Sequence, residues 1–207
     1  MIAVVPVLPT WLDLGATAIF ALSGALMAAR LRQTLVTATF FAVVTGVGGG
    51  TIRDLMLDAP VFWLRDPWIA PMALATALLA WFTPRQWWER QILEWLDAAG
   101  LAMFSVLGTA KALSYGVAPV PAMVLGIISG CAGGIVRDMV AGVPSIIMRP
   151  ELYVTAAALS AGLTATFAWA GLPNLAAWTI AAGAGFGLRL AAIVWNIKLP
   201  GYSRGKE

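Results

Sequence analysis

Displaced by 84 residues, the sequence falls into register with itself: Asp13 meets Asp97, Phe20 meets Phe104, Gly24 meets Gly108 and Gly46 meets Gly130, without a gap. The match runs on through Gly49 and Gly50 with Gly133 and Gly134, Arg53 and Asp54 with Arg137 and Asp138, Pro60 with Pro144, and Arg65 with Arg149. Between Asp13 and Arg65, 14 of 53 positions are identical, and the shared residues are mainly glycine, proline and charges rather than interchangeable aliphatics. The chain therefore reads as a duplication.

Composition says what solvent the duplicated unit meets. With 60% hydrophobic residues, 11% charged residues and ten Trp, the expected solvent is the bilayer. A helix needs about 20 apolar residues to cross the hydrocarbon. The hydrophobic periodicity predicts seven such helices: Thr10 to Ala29, Thr34 to Leu57, Pro67 to Phe82, Leu96 to Leu113, Pro119 to Ala141, Leu152 to Ala170 and Asn174 to Trp195. From Pro84 to Trp95, Trp87, Trp88 and Trp95 alternate with Arg85, Glu89, Arg90 and Glu94, which predicts a segment lying in the headgroup layer. Met1 to Thr10 carries no basic stretch and Asp13 follows, so the first apolar run is expected to be retained rather than cleaved.

Each copy holds three spans, an odd number, so the second must start on the opposite face of the membrane. The expected fold is an all-α membrane protein forming a single transmembrane domain over 1–207. Residues 10–82 and 96–170 form two inverted three-helix repeats, and 174–195 adds a seventh helix. Inverted repeats of this kind are the architecture of transport proteins. Nine Lys and Arg residues (30, 32, 85, 90, 137, 149, 198, 204, 206) fall on one side, against Arg53, Arg65 and Lys111 on the other. That count predicts a cytoplasmic C-terminus and an outside N-terminus.

Several chemistries are excluded. There is no His and Cys131 is the single cysteine, which removes disulfides, His-based or multi-cysteine metal sites, and Ser–His or Cys–His catalysis. No cofactor is expected. The scattered positive charge offers no nucleic-acid face. The run Gly46 to Thr51 lacks the Lys-Ser/Thr ending of a phosphate loop and lies in an apolar span, so no nucleotide is expected. Asp54 and Asp138, held at mirrored depths, are too far apart to share a proton as a catalytic dyad. No catalytic residue is therefore assigned, and the chain is not expected to be an enzyme.

The candidate functional residues cluster at corresponding places in the two repeats. Gly46, Gly48, Gly49 and Gly50 interrupt the second span, and Gly130, Gly133 and Gly134 the fifth. A glycine costs about 1 kcal/mol relative to alanine inside a helix, so clusters of them need a reason. Two readings stand open: close helix packing, as the spacing of Gly126, Gly130 and Gly134 suggests, or kinks and unwound turns that aim carbonyls into a wet path. The doublets Arg53–Asp54 and Arg137–Asp138 follow at equal intervals and are expected at opposite mouths. Adjacent residues face different sides of a helix, so the members of a doublet need not pair; interfacial snorkelling is the competing reading. Lys111, whose counterpart is Met27, is a gate or an anchor. Phe20 and Phe104 narrow a pore or pack, and Ser23, Thr45, Thr51 and Ser129 offer hydroxyls to the path or to their own helices. Asp13 and Asp97 cap helices or touch ions, and Arg189 snorkels or meets a neighbouring subunit.

The motifs Gly-Val-Gly-Gly-Gly-Thr-Ile-Arg-Asp at 46 to 54 and Gly-Cys-Ala-Gly-Gly-Ile-Val-Arg-Asp at 130 to 138, with three plus three spans and a seventh, resemble the prokaryotic branch of the trimeric intracellular cation (TRIC) channels. Bacterial members of that family are also labelled glycine-transporter-domain proteins. The resemblance implies a homotrimer in a bacterial inner membrane, in contact with its lipids, each subunit enclosing an hourglass pore for monovalent cations, chiefly potassium. It places the kinks at Gly48 to Gly50 and Gly133 to Gly134, and Arg53, Asp54, Arg137 and Asp138 beside the path. A fourth-helix lysine takes part in gating in animal members, and Lys111 lies in the corresponding span. The extended C-terminal tail of those members has no counterpart here, so their regulation by calcium stores or inositol lipids is not expected. A potassium ion is expected to cross partly hydrated, helped by carbonyls freed at the glycines. The alternative is a secondary carrier or facilitator for a small solute such as glycine.

Overall fold

The computed structural model describes residues 10–84 and 90–200. Within them lie seven helices: α1 Thr10–Arg30, α2 Leu35–Met56, α3 Ile69–Phe82, α4 Arg90–Ser114, α5 Pro119–Ala141, α6 Tyr153–Trp169 and α7 Asn174–Val194. Their ends have local causes. Thr34 caps α2, its hydroxyl accepting from the Thr37 amide at 3.2 Å. Pro119 opens α5, where its missing N–H costs nothing, and Gly142 ends it at φ 65°, the left-handed turn that glycine adopts most readily.

Five helices, α1, α2, α4, α5 and α7, have the length and apolarity to cross a bilayer. At 14 residues α3 spans about 21 Å, short of the roughly 30 Å hydrocarbon. α6 has 17 residues. Large apolar side chains face outward along the helices, among them Val36, Phe40, Val120 and Val124, as lipid-facing positions should. Trp68, Trp169 and Trp195 stand exposed at helix ends, the depth at which indole favours the headgroup boundary.

One boundary differs from expectation. α4 begins at Arg90, six residues before the predicted Leu96, so Arg90 to Trp95 are its first turns and not a segment separate from it. The early turns are amphipathic: Leu93 is buried while Trp95 stays exposed, a helical pattern that the Trp and charge alternation concealed. The rest of that expected segment, including Arg85, Trp87, Trp88 and Glu89, lies outside the described residues, as do Arg204, Lys206 and the segment before Thr10.

The inverted relation is visible in what meets what. Asp13, near the start of α1, and Lys111, near the end of α4, converge on the same doublet at the end of α2. α1 and α4 therefore run in opposite directions. The four central helices pack through small residues, with Ala16, Ala21, Ala25 and Ala28 of α1 and Ala98, Ala102, Ala110 and Ala112 of α4 all buried.

Candidate functional site

The two glycine-bearing helices cross at the middle of the bundle. A Cβ added to Gly49 would collide with the Ser129 carbonyl oxygen, and one added to Gly133 would stand 2.9 Å from the Thr45 carbonyl oxygen. Because Gly49 corresponds to Gly133 and Thr45 to Ser129, the crossing is a pair of equivalent backbone contacts about the internal two-fold. Gly46 faces Thr17 and Ala21 of α1, and Gly130 faces Ser105 and Leu101 of α4, again at corresponding places. Gly50 packs under the Phe62 ring, and Gly134 under the Tyr153 hydroxyl and Asp97. Only Gly48 meets an ordinary contact, Val136 at 3.6 Å.

α2 and α5 are unbroken helices through these residues, so no turn is unwound there, and any bend occurs within a continuous hydrogen-bonded helix. The expected freeing of carbonyls is corrected accordingly: the Gly49 carbonyl accepts from Ser129 Oγ at 3.2 Å. Close approach accounts for six of the seven glycines, because a side chain at each would meet a neighbouring helix or loop at 3.0 Å or less. Thr45, Ser129, Phe20 and Phe104 are all fully buried. The two phenyl rings stack on each other, centroids 5.4 Å apart. Thr45 Oγ1 has no partner, whereas Ser23 donates to its own helix at Phe20 O and Thr51 to Val47 O. The centre is closed and filled, not the wet passage that kinked helices would leave.

On either side of this closed centre sits a buried charge cluster. In the first, Arg53 Nε donates to Asp54 Oδ1 at 2.7 Å and Nη1 to Asp13 Oδ1 at 3.0 Å, Lys111 Nζ reaches Asp54 Oδ1 at 2.7 Å, and the Phe62 amide donates to Asp54 Oδ2 at 2.8 Å. In the second, Arg137 Nε and Nη2 both donate to Asp138 Oδ1, at 2.9 and 2.7 Å, and Nη1 bonds Asp97 and approaches Ser23 Oγ at 3.5 Å. The Ile146 amide donates to Asp138 Oδ2 at 2.8 Å. Every protein partner keeps its 84-residue offset except Lys111 and Ser23.

These contacts revise the expectations for the doublets. Arg53 and Asp54 do pair, as do Arg137 and Asp138: Cβ directions diverge for neighbours on a helix, but the long arginine stem folds back far enough to bring its guanidinium onto the next carboxylate. Both guanidiniums are buried, so neither snorkels. Asp13 and Asp97 are ion-pair partners instead of helix caps. Lys111 is a cluster member, not an interfacial anchor, with 15% of its side chain exposed. Arg189 is also buried; it pairs with Glu151 and lies over the Tyr153 ring at 5.3 Å, so it neither snorkels nor waits for another subunit. Charged groups at this depth persist because each is hydrogen-bonded to an opposite charge.

The first cluster opens onto a cavity of about 640 Å³, lined by Asp13, Phe62, Arg65, Asp66, Lys111 and Tyr115 among others. Residues that periodicity alone did not single out are Phe62 and Ile146, whose backbone N–H groups bond the doublet carboxylates, and Tyr153. The first two follow a legible rule, since each lies eight residues after its doublet's Asp.

A family model described as "Glycine transporter" matches the chain twice, over residues 10–85 and 94–169. The UPF0126 inner membrane protein YadS of Escherichia coli is 40% identical over 199 residues, covering 93% of this chain and 95% of YadS. Among solved structures, the TRIC trimeric intracellular cation channel orthologue from Rhodobacter sphaeroides superposes with a TM-score of 0.83 at 37% identity, over 90% of this chain and 97% of that one. A prokaryotic TRIC channel solved in 0.5 M KCl gives 0.84 at 25% identity, over 91% and 97%. These neighbours are channels and not enzymes. With a duplicated family match, five helices long and apolar enough to cross a membrane, and this superposition, the chain is a multi-pass membrane protein that belongs to the glycine-transporter-domain family, the family of the prokaryotic TRIC channels.

Proposed function

We propose that the protein is a passive channel for monovalent cations, potassium above all, working as a homotrimer with one pathway inside each subunit. The observation that carries this reading is the pair of equivalent Asp–Arg–Asp clusters flanking the α2–α5 crossing, in a fold shared with the TRIC cation channel orthologue. The pathway runs from the outer cavity past Asp13 and Asp54, through the crossing between α1, α2, α4 and α5, to Asp97 and Asp138. In the closed form described here the crossing is filled and Lys111 bridges to Asp54. Conduction requires α2 and α5 to separate and Lys111 to leave its carboxylate. Thr45 Oγ1, already unpartnered, and Ser129 Oγ then offer oxygens to a partly hydrated ion. By the Lys and Arg count and the inner-membrane relative, the protein sits in a bacterial inner membrane with its C-terminus in the cytoplasm.

The test is reconstitution in planar bilayers under a potassium gradient. Unitary steps reversing near the potassium equilibrium potential are expected, and flux without steps rejects the channel. One observation favours a second reading, a carrier for a small zwitterion such as glycine: the outer cavity presents both signs of charge, Asp13 and Asp66 against Arg65 and Lys111, and the family model bears that solute's name. A carrier shows saturable glycine uptake into vesicles and no steps.

A further inference from the structure

The helices α1, α2, α4, α5, α6 and α7 end in the same reversal. The backbone passes through one residue at positive φ, and the next amide bonds the carbonyl five residues earlier, as Gln33 does with Ala28 after α1 and Val117 with Ala112 after α4. The residue at positive φ is Gly116, Gly142 or Gly171 at three of these ends, and Asp58 or Asn196 at two. Glycine has no Cβ to clash there, and the short side chains of Asp and Asn tolerate the conformation. After α1 the residue is Arg32, at φ 55°, in the turn where the second repeat has Gly116. Glycine would be less strained at this place, so backbone conformation does not account for the arginine.

Its surroundings do. Arg32 lines a cavity of about 370 Å³ between the ends of α1 and α3, together with Arg30, Gln33 and Trp81. The base of the cavity is apolar, formed by Leu26 and Ala80, which are buried in one hydrophobic cluster. Two arginines line it, and no carboxylate among the described residues does. The cavity beside Lys111 is different, because there Asp13 and Asp66 balance Arg65 and Lys111. Trp81 and Phe82 are exposed at the end of α3, which sets the mouth at the headgroup boundary, where aromatic side chains of membrane helices collect. A cationic mouth over an apolar base at that depth matches an anionic phospholipid, phosphate above and chains below.

We propose that this cavity binds the phosphate of an anionic phospholipid, with Arg32 as the main contact and Trp81 against the glycerol and upper acyl chain. Arginine suits the task because its planar fork presents paired donors to phosphate oxygens. The site belongs to the first repeat alone: at the corresponding places the second has Ser114 for Arg30 and Gly116 for Arg32. It stands or falls independently of what the protein conducts.

Thermal unfolding of the purified full-length protein in nanodiscs tests the site, with phosphatidylglycerol titrated into phosphatidylcholine at constant ionic strength. The melting temperature of the wild type is expected to rise with phosphatidylglycerol. Arg32→Gly is expected to need about fivefold more of that lipid, or beyond, for the same rise, the effect of one basic residue at an anionic surface. In phosphatidylcholine alone this variant is expected to melt no lower than the wild type, because glycine suits the turn; a lower value makes Arg32 part of the fold and overturns the site. Arg32→Gln keeps a side chain at positive φ without its charge, and it decides the matter should Arg32→Gly not fold. A full phosphatidylglycerol response in Arg32→Gln overturns the site. Arg149→Ala removes an arginine that is 43% exposed and lies outside this cavity; its lipid response is expected to match the wild type, and a loss equal to that of Arg32→Gly shows diffuse attraction and overturns the site. Inorganic phosphate added to the protein in phosphatidylcholine is expected to leave the melting temperature unchanged. A gain that depends on Arg32 assigns the cavity to a soluble anion and overturns the lipid.

Discussion

The Arg53 and Arg137 clusters are built from equivalent residues and yet are not equivalent. Arg137 spends all three of its nitrogens on two carboxylates and sits among residues that admit almost no solvent, while Arg53 leaves one nitrogen idle, stacks over Phe62 at 5.5 Å and shares its aspartate with a lysine beside an open cavity. The difference teaches that the duplication supplies a common framework, and that one position out of step with the repeat, Lys111 against Met27, gives the Arg53 cluster an ammonium that the other lacks. One cluster is a brace closed by arginine alone; the other adds a lysine.

The contrast is most easily broken at the brace. Arg137→Ala leaves two buried carboxylates without their shared cation and is expected to cost about 3–5 kcal/mol, enough to lose the folded protein in size-exclusion chromatography. Asp13→Asn, at the edge of the cavity, is expected to do less than Asp97→Asn, whose carboxylate is fully buried; equal losses of melting temperature would erase the distinction. At the crossing, Gly49→Ala is expected to destabilise by about 1–3 kcal/mol through its clash with the Ser129 carbonyl. Gly48→Ala, with only Val136 nearby at 3.6 Å, is expected to be neutral or to gain up to about 1 kcal/mol of helix propensity. The smallest effect belongs to Arg149→Ala. Its pairs with Glu94 and Glu151 are 4.0 Å long and its side chain is 43% exposed, so a change below about 1 kcal/mol is expected in thermal unfolding.

Much of the architecture was legible in the amino-acid order. The self-match at an offset of 84 residues fixed the repeat and its inversion, because three spans cannot return a chain to the side it left. Helix boundaries followed apolar periodicity to within two residues at most ends, failing at the start of α4, where Trp and charge alternation looks the same in an interfacial segment and in an amphipathic first turn. The doublets were visible as a motif but not as ion pairs. Periodicity reports where a Cβ points, and a guanidinium several bonds further on can bend back to its neighbour. The glycines were visible too, yet whether they loosen a helix or let two helices touch depends on what lies opposite, and Ser129 O lies 80 residues from Gly49 in the chain. Lys111 could be flagged only as an exception to the repeat; that it reaches Asp54 follows from the antiparallel run of α1 and α4, which sets the end of one beside the start of the other.

At the bundle's midpoint, main chain rests directly on main chain, with no side chain interposed between Gly49 and Ser129 or between Gly133 and Thr45. A barrier of that kind has no rotamer to flip and no loop to swing. Making room there obliges whole rods to slide or tilt together, a collective displacement of the sort that takes microseconds to milliseconds rather than nanoseconds, so currents should appear as discrete, long-lived steps instead of a graded flicker.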